Sequence, residues 1–230
     1  MSGAGRDLGA VLHGALVVVD DVPGEFAERV VEAFHYRPNE LYSLVLSGGE
    51  TARLCYERLA AHAEQQIDWW KVDLFWGDEA AAAEGPSNYE MAKAALLERV
   101  GAANSIHPIR PDGGLADYQS LLAGVDRFDV VHLGLSAQGH VAGLYPGTKA
   151  LAAGPAELVC LAEDPTGARP ARITLTYPAI AKARLVLVTV QGADKREALA
   201  EVAAGRAPAS RIVCDELVWL ADPAAAGALE

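Results

Sequence analysis

The first stretch of the sequence with residues suited to chemistry is a glycine turn that can bind an anion. Ser47, Gly48 and Gly49 follow a short apolar segment, and Thr51 begins a segment whose apolar residues recur at helical spacing. Two glycines let backbone N–H groups approach an anion closely, and a helix N-terminus adds its partial positive charge. One interpretation of the pattern is therefore a phosphate cradle. An ordinary strand-to-helix turn is the alternative, and Glu50 favours it because a carboxylate caps a helix well but repels phosphate.

A histidine and an acidic pair follow two other apolar segments. His140 comes directly after Gly139, and a histidine ordinarily titrates near neutral pH, so it is a candidate for proton transfer. Asp78 and Glu79 end another apolar segment. Open parallel sheets gather their ligand sites at the carboxyl ends of the strands. We therefore expect these two loops and the glycine turn to meet at the same edge of one sheet.

Strands that alternate with helices must position these loops. Buried strands are predicted at residues 15–19, 42–46, 72–76, 129–135 and 185–190. Residues 158–161 are a candidate strand, residues 172–176 open a further segment, and residues 211–214 and 217–220 close the fold. Helices are predicted after the capping residue Asp21 and at residues 51–62, 87–97, 118–122 and 195–204. The alternation predicts an α/β fold with an open, mostly parallel twisted sheet and helices on both faces, similar to a Rossmann fold. We expect residues 1–14 to be a flexible lead-in and residues 15–230 to form a single domain.

Composition excludes several classes of function. The 230 residues are 51% hydrophobic and 22% charged, which is typical of a globular domain. A formal charge of -12 argues against binding the phosphate backbone of a nucleic acid. The sequence has neither a signal-peptide pattern nor an apolar run long enough to cross a bilayer, so we expect a cytoplasmic protein with no membrane partner.

The cysteines and the other possible metal ligands show no pattern that carries chemistry. Cys55, Cys160 and Cys214 are scattered in apolar runs and odd in number, which predicts reduced core thiols. No group of histidine, cysteine and acidic residues has the spacing of a metal site. We therefore predict neither a metal nor a cofactor.

Short motifs in a fixed order cover most of the chain, from about residue 44 to residue 222. They include Leu46-Ser47-Gly48-Gly49, Phe75-Trp76-Gly77-Asp78-Glu79, Ser87-Asn88-Tyr89, Gly139-His140, Leu144-Tyr145-Pro146-Gly147, Arg172-Ile173-Thr174-Leu175-Thr176 and Gly192 with Lys195. The combined pattern resembles the 6-phosphogluconolactonases, within the wider group that includes glucosamine-6-phosphate deaminases. The motifs around Trp76 and Tyr145 favour the lactonases, because deaminases carry different residues at both places.

The resemblance implies an activity and a set of roles. The activity is hydrolysis of 6-phosphogluconolactone, a sugar-phosphate lactone, in the oxidative pentose phosphate pathway. His140 would take a proton from the attacking water, Arg172 and Lys195 would bind the phosphate, and the acidic pair would contact sugar hydroxyls unless it lies in a solvated loop. The candidate catalytic residues are therefore His140, Gln138 and Asp78, and the candidate substrate- and phosphate-binding residues are Ser47, Gly48, Gly49, Thr51, Glu79, Arg172 and Lys195.

The chain departs from the family pattern in and near its ligand-facing loops. The departures are Glu50 for serine, Ala80 for arginine, Ser136 for glycine, Gln138 for an acidic residue and Ala181 for asparagine. Gln138 can orient the ring of His140 but cannot neutralise an imidazolium. Two alternatives therefore stay open: a catalytically degenerate homologue that binds a sugar phosphate or a partner protein, and a lactonase for a less anionic sugar lactone. The sequence also leaves open whether the protein is a monomer or a homodimer.

Overall fold

The computed structural model describes residues 12–63, 66–82, 86–111 and 114–227. The strands in these ranges are β1 (Ala15–Val18), β2 (Tyr42–Leu46), β3 (Val72–Trp76), β4 (Asp78–Ala80), β5 (Ser105–His107), β6 (Phe128–Gly134), β7 (Val159–Ala162), β8 (Arg172–Leu175), β9 (Ala183–Val190) and β10 (Glu216–Ala221). Seven of them form one sheet in the order β1-β10-β9-β6-β2-β3-β5, and every pair in it is parallel.

The helices in the described ranges are α1 (Val22–His35), α2 (Glu50–Ala63), α3 (Asn88–Ala92), α4 (Gly114–Ala123), α5 (Tyr177–Ile180), α6 (Arg196–Ala203) and α7 (Pro223–Ala226). All residues of β6 except the last are buried, so both faces of the sheet are covered at its centre. The predicted α/β fold with a parallel sheet is confirmed. The predicted cap of α1 is also present, because the Asp21 carboxylate accepts a hydrogen bond from Gly24 N–H at 3.0 Å.

A second sheet, antiparallel and three-stranded, has the order β4-β8-β7. Residues 172–176 therefore belong mainly to this small sheet and not to the parallel one. The acidic pair is also not in a solvated loop, because Asp78 and Glu79 lie in β4, where they pair with Thr174 and Ile173 of β8 and are buried.

Of the two segments expected to close the fold, residues 217–220 lie in a strand and residues 211–214 do not. A 3-10 turn covers Pro208–Arg211, and β10 begins only at Glu216. A local bond favours the turn, since Ser210 Oγ donates to the Ala207 carbonyl at 2.7 Å, and a long-range bond holds it in place, since Ala209 N–H donates to the Gly139 carbonyl at 3.0 Å.

The chain start and the cysteines were also the subject of sequence predictions. Most of the predicted lead-in lies outside the described residues, while Leu12 is buried and the His13 carbonyl accepts a hydrogen bond from the Trp219 indole at 2.9 Å. Cys55 and Cys160 are buried free thiols, and Cys214 is only partly buried. No helix in the described ranges combines the length and the apolar composition needed to cross a bilayer.

Candidate active site

The candidate site is a cavity of about 560 Å³ at the carboxyl ends of the central strands. The chain runs from β2 outward to β3 and β5, and then returns to place β6 on the other side of β2. This reversal between β2 and β6 leaves a crevice, which is where open α/β sheets bind ligands. The loops that follow β2, β6 and β9 all line the cavity.

Eight of the residues predicted from the sequence line this cavity. Ser47, Gly48, Gly49 and Thr51 lie along the loop that enters α2. Asp78, His140, Arg172 and Lys195 line the rest of the wall. The structure thus brings the glycine turn, the acidic segment and the histidine together.

Glu79 has a structural role in place of the predicted substrate contact. One of its carboxylate oxygens accepts hydrogen bonds from Ala80 N–H at 2.8 Å and Asn88 N–H at 3.0 Å. The other accepts from Tyr89 N–H at 2.8 Å and Ser87 Oγ at 2.9 Å. These bonds satisfy donors at the start of α3, and the side chain does not line the cavity.

The glycine turn is closely fitted to its surroundings. A Cβ atom on Gly48 would lie 1.9 Å from the Asn88 side-chain oxygen, and Gly49 has a φ of 94°, which L side chains rarely adopt. Ser47 N–H donates to Tyr56 Oη at 2.5 Å, so it is not available to an anion. The available backbone donors are those in the first turn of α2, which lack intrahelical acceptors.

A buried polar network fixes this turn from beneath. Tyr56 Oη contacts the backbone of Ser47 and lies 2.9 Å from His132 Nδ1, and His132 Nε2 lies 3.0 Å from Thr189 Oγ1. His132 is fully buried, and burial lowers its pKa to about 3, so its imidazole is neutral. Ser47 and Thr189 both line the cavity, so the network joins two of its walls.

The buried His132 is expected to make the free energy of unfolding depend on pH. The unfolded chain binds a proton at His132 near pH 6.5, whereas the folded chain does not do so until about pH 3. Stability therefore falls as the pH drops below 6.5, by about 2 kcal/mol for this residue at pH 5. His132→Gln should remove that share of the pH dependence, measured as the difference between urea unfolding free energies at pH 7 and pH 5.

The control for this prediction is His62→Gln, which replaces an exposed histidine of α2. This variant should keep the wild-type difference between the two pH values. A His132→Gln protein with an unchanged difference would contradict the prediction.

A compact turn presents His140 to the cavity. Ser136 N–H donates to the His140 carbonyl at 2.9 Å, and Gly139 N–H donates to the Ser136 carbonyl at 3.1 Å. Gly139 has a φ of 74°, and a Cβ atom there would lie 2.6 Å from the Ala207 side chain. The ring of His140 packs edge-on against Tyr145, with 4.6 Å between ring centroids.

The partner of the His140 ring is Ser136 and not Gln138. Ser136 Oγ lies 2.8 Å from His140 Nδ1, whereas the Gln138 side chain is exposed and makes no hydrogen bond to the ring among the described residues. Burial and the nearby positive charge of Arg169 lower the pKa of His140 to about 4. The imidazole is therefore neutral at pH 7.

Most cations in the cavity are already paired with carboxylates. Arg172 forms a buried ion pair with Asp78, and Lys195 Nζ lies 2.8 Å from Asp194 Oδ2. The carboxylate of Glu50 pairs with Arg53 at 2.5 Å, which offsets part of its repulsion toward an anion. Hydrogen bonds from Arg53 also lower the pKa of Glu50, so this carboxyl group is ionised at neutral pH.

Arg169 was missed by the sequence reasoning. It lies in the loop before β8, lines the cavity, and forms no ion pair within the described part of the chain. Its charge therefore remains available to an anionic ligand. Asn88 was also missed as a residue that lines the cavity. It lies at the start of α3, as expected, and its side chain donates to the Asp78 carbonyl at 2.8 Å.

No metal centre can be assembled from the described residues, which contain no group of three or more histidine, cysteine or acidic side chains placed to hold an ion. The predicted absence of a metal or cofactor stays a prediction.

Most of this chain is similar to proteins of a known family. The family model for glucosamine-6-phosphate isomerases/6-phosphogluconolactonase matches residues 17–219. The 6-phosphogluconolactonase of Nostoc sp. is 38% identical over 209 residues, which is 81% of this chain and 84% of the relative, and that of Mycobacterium tuberculosis is 34% identical over 210 residues with the same coverage. The solved 6-phosphogluconolactonase of Trypanosoma brucei has a TM-score of 0.82 at 24% identity, covering 95% of this chain and 100% of that chain.

Proposed function

The chain belongs to the glucosamine-6-phosphate isomerase/6-phosphogluconolactonase family, and from this premise we propose that it hydrolyses 6-phosphogluconolactone to 6-phosphogluconate in the oxidative pentose phosphate pathway. The observation that carries the proposal is that one cavity holds both an anion-binding wall and His140. The curated relatives that cover most of the chain bear the name of this lactonase, which supports the same choice of substrate.

The chemistry needs few groups from the protein. The oxygen of water forms a bond to the lactone carbonyl carbon, the bond from that carbon to the ring oxygen breaks, and the ring oxygen takes up a proton. The product acid then releases one proton to solvent. A hydrogen-bond donor must meet the negative charge that develops on the carbonyl oxygen, and cations must hold the phosphate. In this proposal His140 acts at the lactone, while Arg169, Arg172 and Lys195 hold the phosphate.

The direct test is release of acid from freshly made 6-phosphogluconolactone, followed in a pH-stat against the spontaneous rate. A rate that rises in proportion to protein concentration is the expected result. A rate equal to the spontaneous one would leave the degenerate, non-catalytic homologue as the better account.

Glu50 supports a lactonase for a less anionic lactone as the second candidate. Its charge lies at the start of α2, where a phosphate would bind the helix N-terminus. The same assay with unphosphorylated gluconolactone separates the two candidates. A higher kcat/KM for the unphosphorylated lactone would favour the second.

Arg169→Gln is expected to weaken use of the phosphorylated lactone selectively. A hydrogen bond to a charged group is worth about 1.5–3 kcal/mol, so kcat/KM for 6-phosphogluconolactone should fall by about 10–100-fold. The value for unphosphorylated gluconolactone should change little, and the loss should shrink as salt rises. Steady-state kinetics with both lactones at two ionic strengths measures this.

Arg184→Gln is the control, because Arg184 is the second residue of β9, at the end of the sheet opposite the cavity. It should leave both lactones unaffected. An equal loss for both lactones in Arg169→Gln would show that Arg169 does not contact the phosphate.

Several properties stay predictions within this proposal. The cytoplasmic location and the absence of a nucleic-acid partner rest on the sequence. The choice between a monomer and a homodimer remains open, and sedimentation of the purified protein decides it.

A further inference from the structure

The hydroxyl of Ser136 makes three contacts, and together they fix the direction of each. Ser136 Oγ accepts hydrogen bonds from the backbone N–H of Gln138 at 3.2 Å and of His140 at 3.0 Å. Its third contact is with His140 Nδ1 at 2.8 Å. A hydroxyl has two acceptor lone pairs and one hydrogen to donate. Because the backbone groups use both lone pairs, the hydroxyl donates its hydrogen to Nδ1.

The donation from Ser136 determines which ring nitrogen of His140 carries hydrogen. A neutral imidazole has one N–H, so an Nδ1 that accepts a hydrogen bond leaves the hydrogen on Nε2. Nε2 has no hydrogen-bond partner among the described residues, and His140 lines the cavity. We propose that Ser136 is a positioning residue that holds His140 in the Nε2–H tautomer, so that His140 donates a hydrogen bond to the lactone carbonyl and does not take a proton from water.

The role at the carbonyl rests on the proposed lactonase function. The Nε2 hydrogen stays on the ring while the charge on the carbonyl oxygen develops, and the protons of the attacking water pass to solvent and to the ring oxygen of the lactone. A histidine whose pKa is lowered to about 4 is a weak base at neutral pH, which agrees with a donor role. A carboxylate bonded to Nδ1 in place of the Ser136 hydroxyl would have the opposite effect, since it can only accept hydrogen from Nδ1 and would leave Nε2 free as a base.

The tautomer can be tested without any substrate. In protein labelled with ¹⁵N-histidine, a long-range ¹H–¹⁵N spectrum at pH 7 should show Nδ1 of His140 unprotonated and Nε2 protonated. Signals that disappear in His140→Gln identify the residue. A wild-type spectrum with hydrogen on Nδ1 would overturn the proposal.

The direction of the hydrogen bond also determines how a Ser136→Ala substitution changes the pKa of His140. A donor to Nδ1 stabilises the neutral ring, so its removal should raise the pKa. If Ser136 instead accepted hydrogen from Nδ1, its removal would lower the pKa. An NMR titration of the ring gives the sign, and a lower pKa would contradict the proposal. The charged groups around the ring, namely Arg169, Lys195 and Asp164, are the same in both proteins.

Two variants control this titration. Ser136→Thr keeps a hydroxyl and should keep the wild-type pKa, which separates the hydrogen bond from a loosened turn. Ser120→Ala removes an exposed hydroxyl on α4, bonded only to the Ala116 carbonyl, and should change nothing. If Ser136→Ala does not fold, the wild-type nitrogen spectrum alone still decides the tautomer.

Kinetics tests the donor role by comparing two replacements of His140. The amide of His140→Gln can donate a hydrogen bond but cannot act as a base, whereas His140→Ala can do neither. We expect kcat of His140→Gln to exceed that of His140→Ala by about tenfold or more, as partial recovery of an oxyanion donor. Equal loss in both variants would restore the role of base. A wild-type protein without lactonase activity would refute the proposed function and leave the tautomer result standing.

Discussion

Replacing His140 with alanine is expected to lower kcat for 6-phosphogluconolactone by about 10²–10³-fold, the range for loss of one donor to a developing oxyanion. His140 is buried against Tyr145, and its partner Ser136 fixes the ring through the contact with Nδ1. A donor held in this way does not have to move when charge develops on the carbonyl oxygen. Its removal therefore destabilises the transition state more than the bound substrate. KM should change much less than kcat, because the phosphate contacts remain.

The measurement for His140→Ala is steady-state kinetics together with a urea unfolding curve. The unfolding curve shows whether the lost activity reflects the site or the fold. His62→Ala removes an exposed histidine from α2 and should keep wild-type kcat. A folded His140→Ala protein with wild-type kcat would remove this residue from the mechanism.

The parallel sheet and the place of the cavity could be predicted from the sequence because each rests on a strong local signal. The central strands are short and mostly apolar, as is typical of strands covered on both faces. Each run ends at a turn residue, and the carboxyl ends of parallel strands meet at one edge. Because each loop follows a predicted parallel strand, the sequence indicated that the loops lie close together in the folded protein.

The small antiparallel sheet could not be predicted in this way. β4 is three residues long, and it pairs with a strand about ninety positions later in the chain. Neither its length nor its acidic composition predicts a buried strand. Pairing with β8 and contacts with the start of α3 surround Asp78 and Glu79, so their burial is set by tertiary structure.

The partner of His140 was also assigned wrongly from the sequence, for a geometric reason. The resemblance directed attention to Gln138, two positions before the histidine. In the structure the turn folds back on itself, so that Ser136, four positions before, lies against the ring and Gln138 points to solvent. Ser136 was visible as a departure from the family pattern, but its consequence depends on hydrogen-bond directions that no spacing rule contains.

Arg169 illustrates the limit for charged residues in loops. A single arginine in a loop without periodic structure is usually a surface residue. What distinguishes Arg169 is that its neighbours in the cavity, Arg172 and Lys195, are each paired with a carboxylate. Which of these cations are paired with carboxylates is determined by the folded structure, so the sequence alone does not indicate it.

The buried pair of Asp78 and Arg172 gives the largest expected effect on stability. Only 8% of the Asp78 side chain and 13% of the Arg172 side chain are exposed. Removing one partner leaves the other charge buried without compensation, so Asp78→Asn and Arg172→Gln should each lower the free energy of unfolding by about 3–5 kcal/mol. The double variant removes both charges of the pair, so it should lose less stability than either single variant.

Urea unfolding of the four proteins of this cycle measures the coupling, and the exposed pair of Glu201 and Arg206 provides a matched cycle. Its single variants should cost at most about 1 kcal/mol. Single losses of that size at Asp78 and Arg172 would mean that water reaches the buried pair.

The stability of these variants also decides how a catalytic role of Asp78 can be tested, because the inactivity of an unfolded Asp78→Asn protein proves nothing about chemistry. The folded double variant is the informative protein: a raised KM with unchanged kcat would assign the pair to binding, and a lowered kcat would assign Asp78 or Arg172 to the reaction itself.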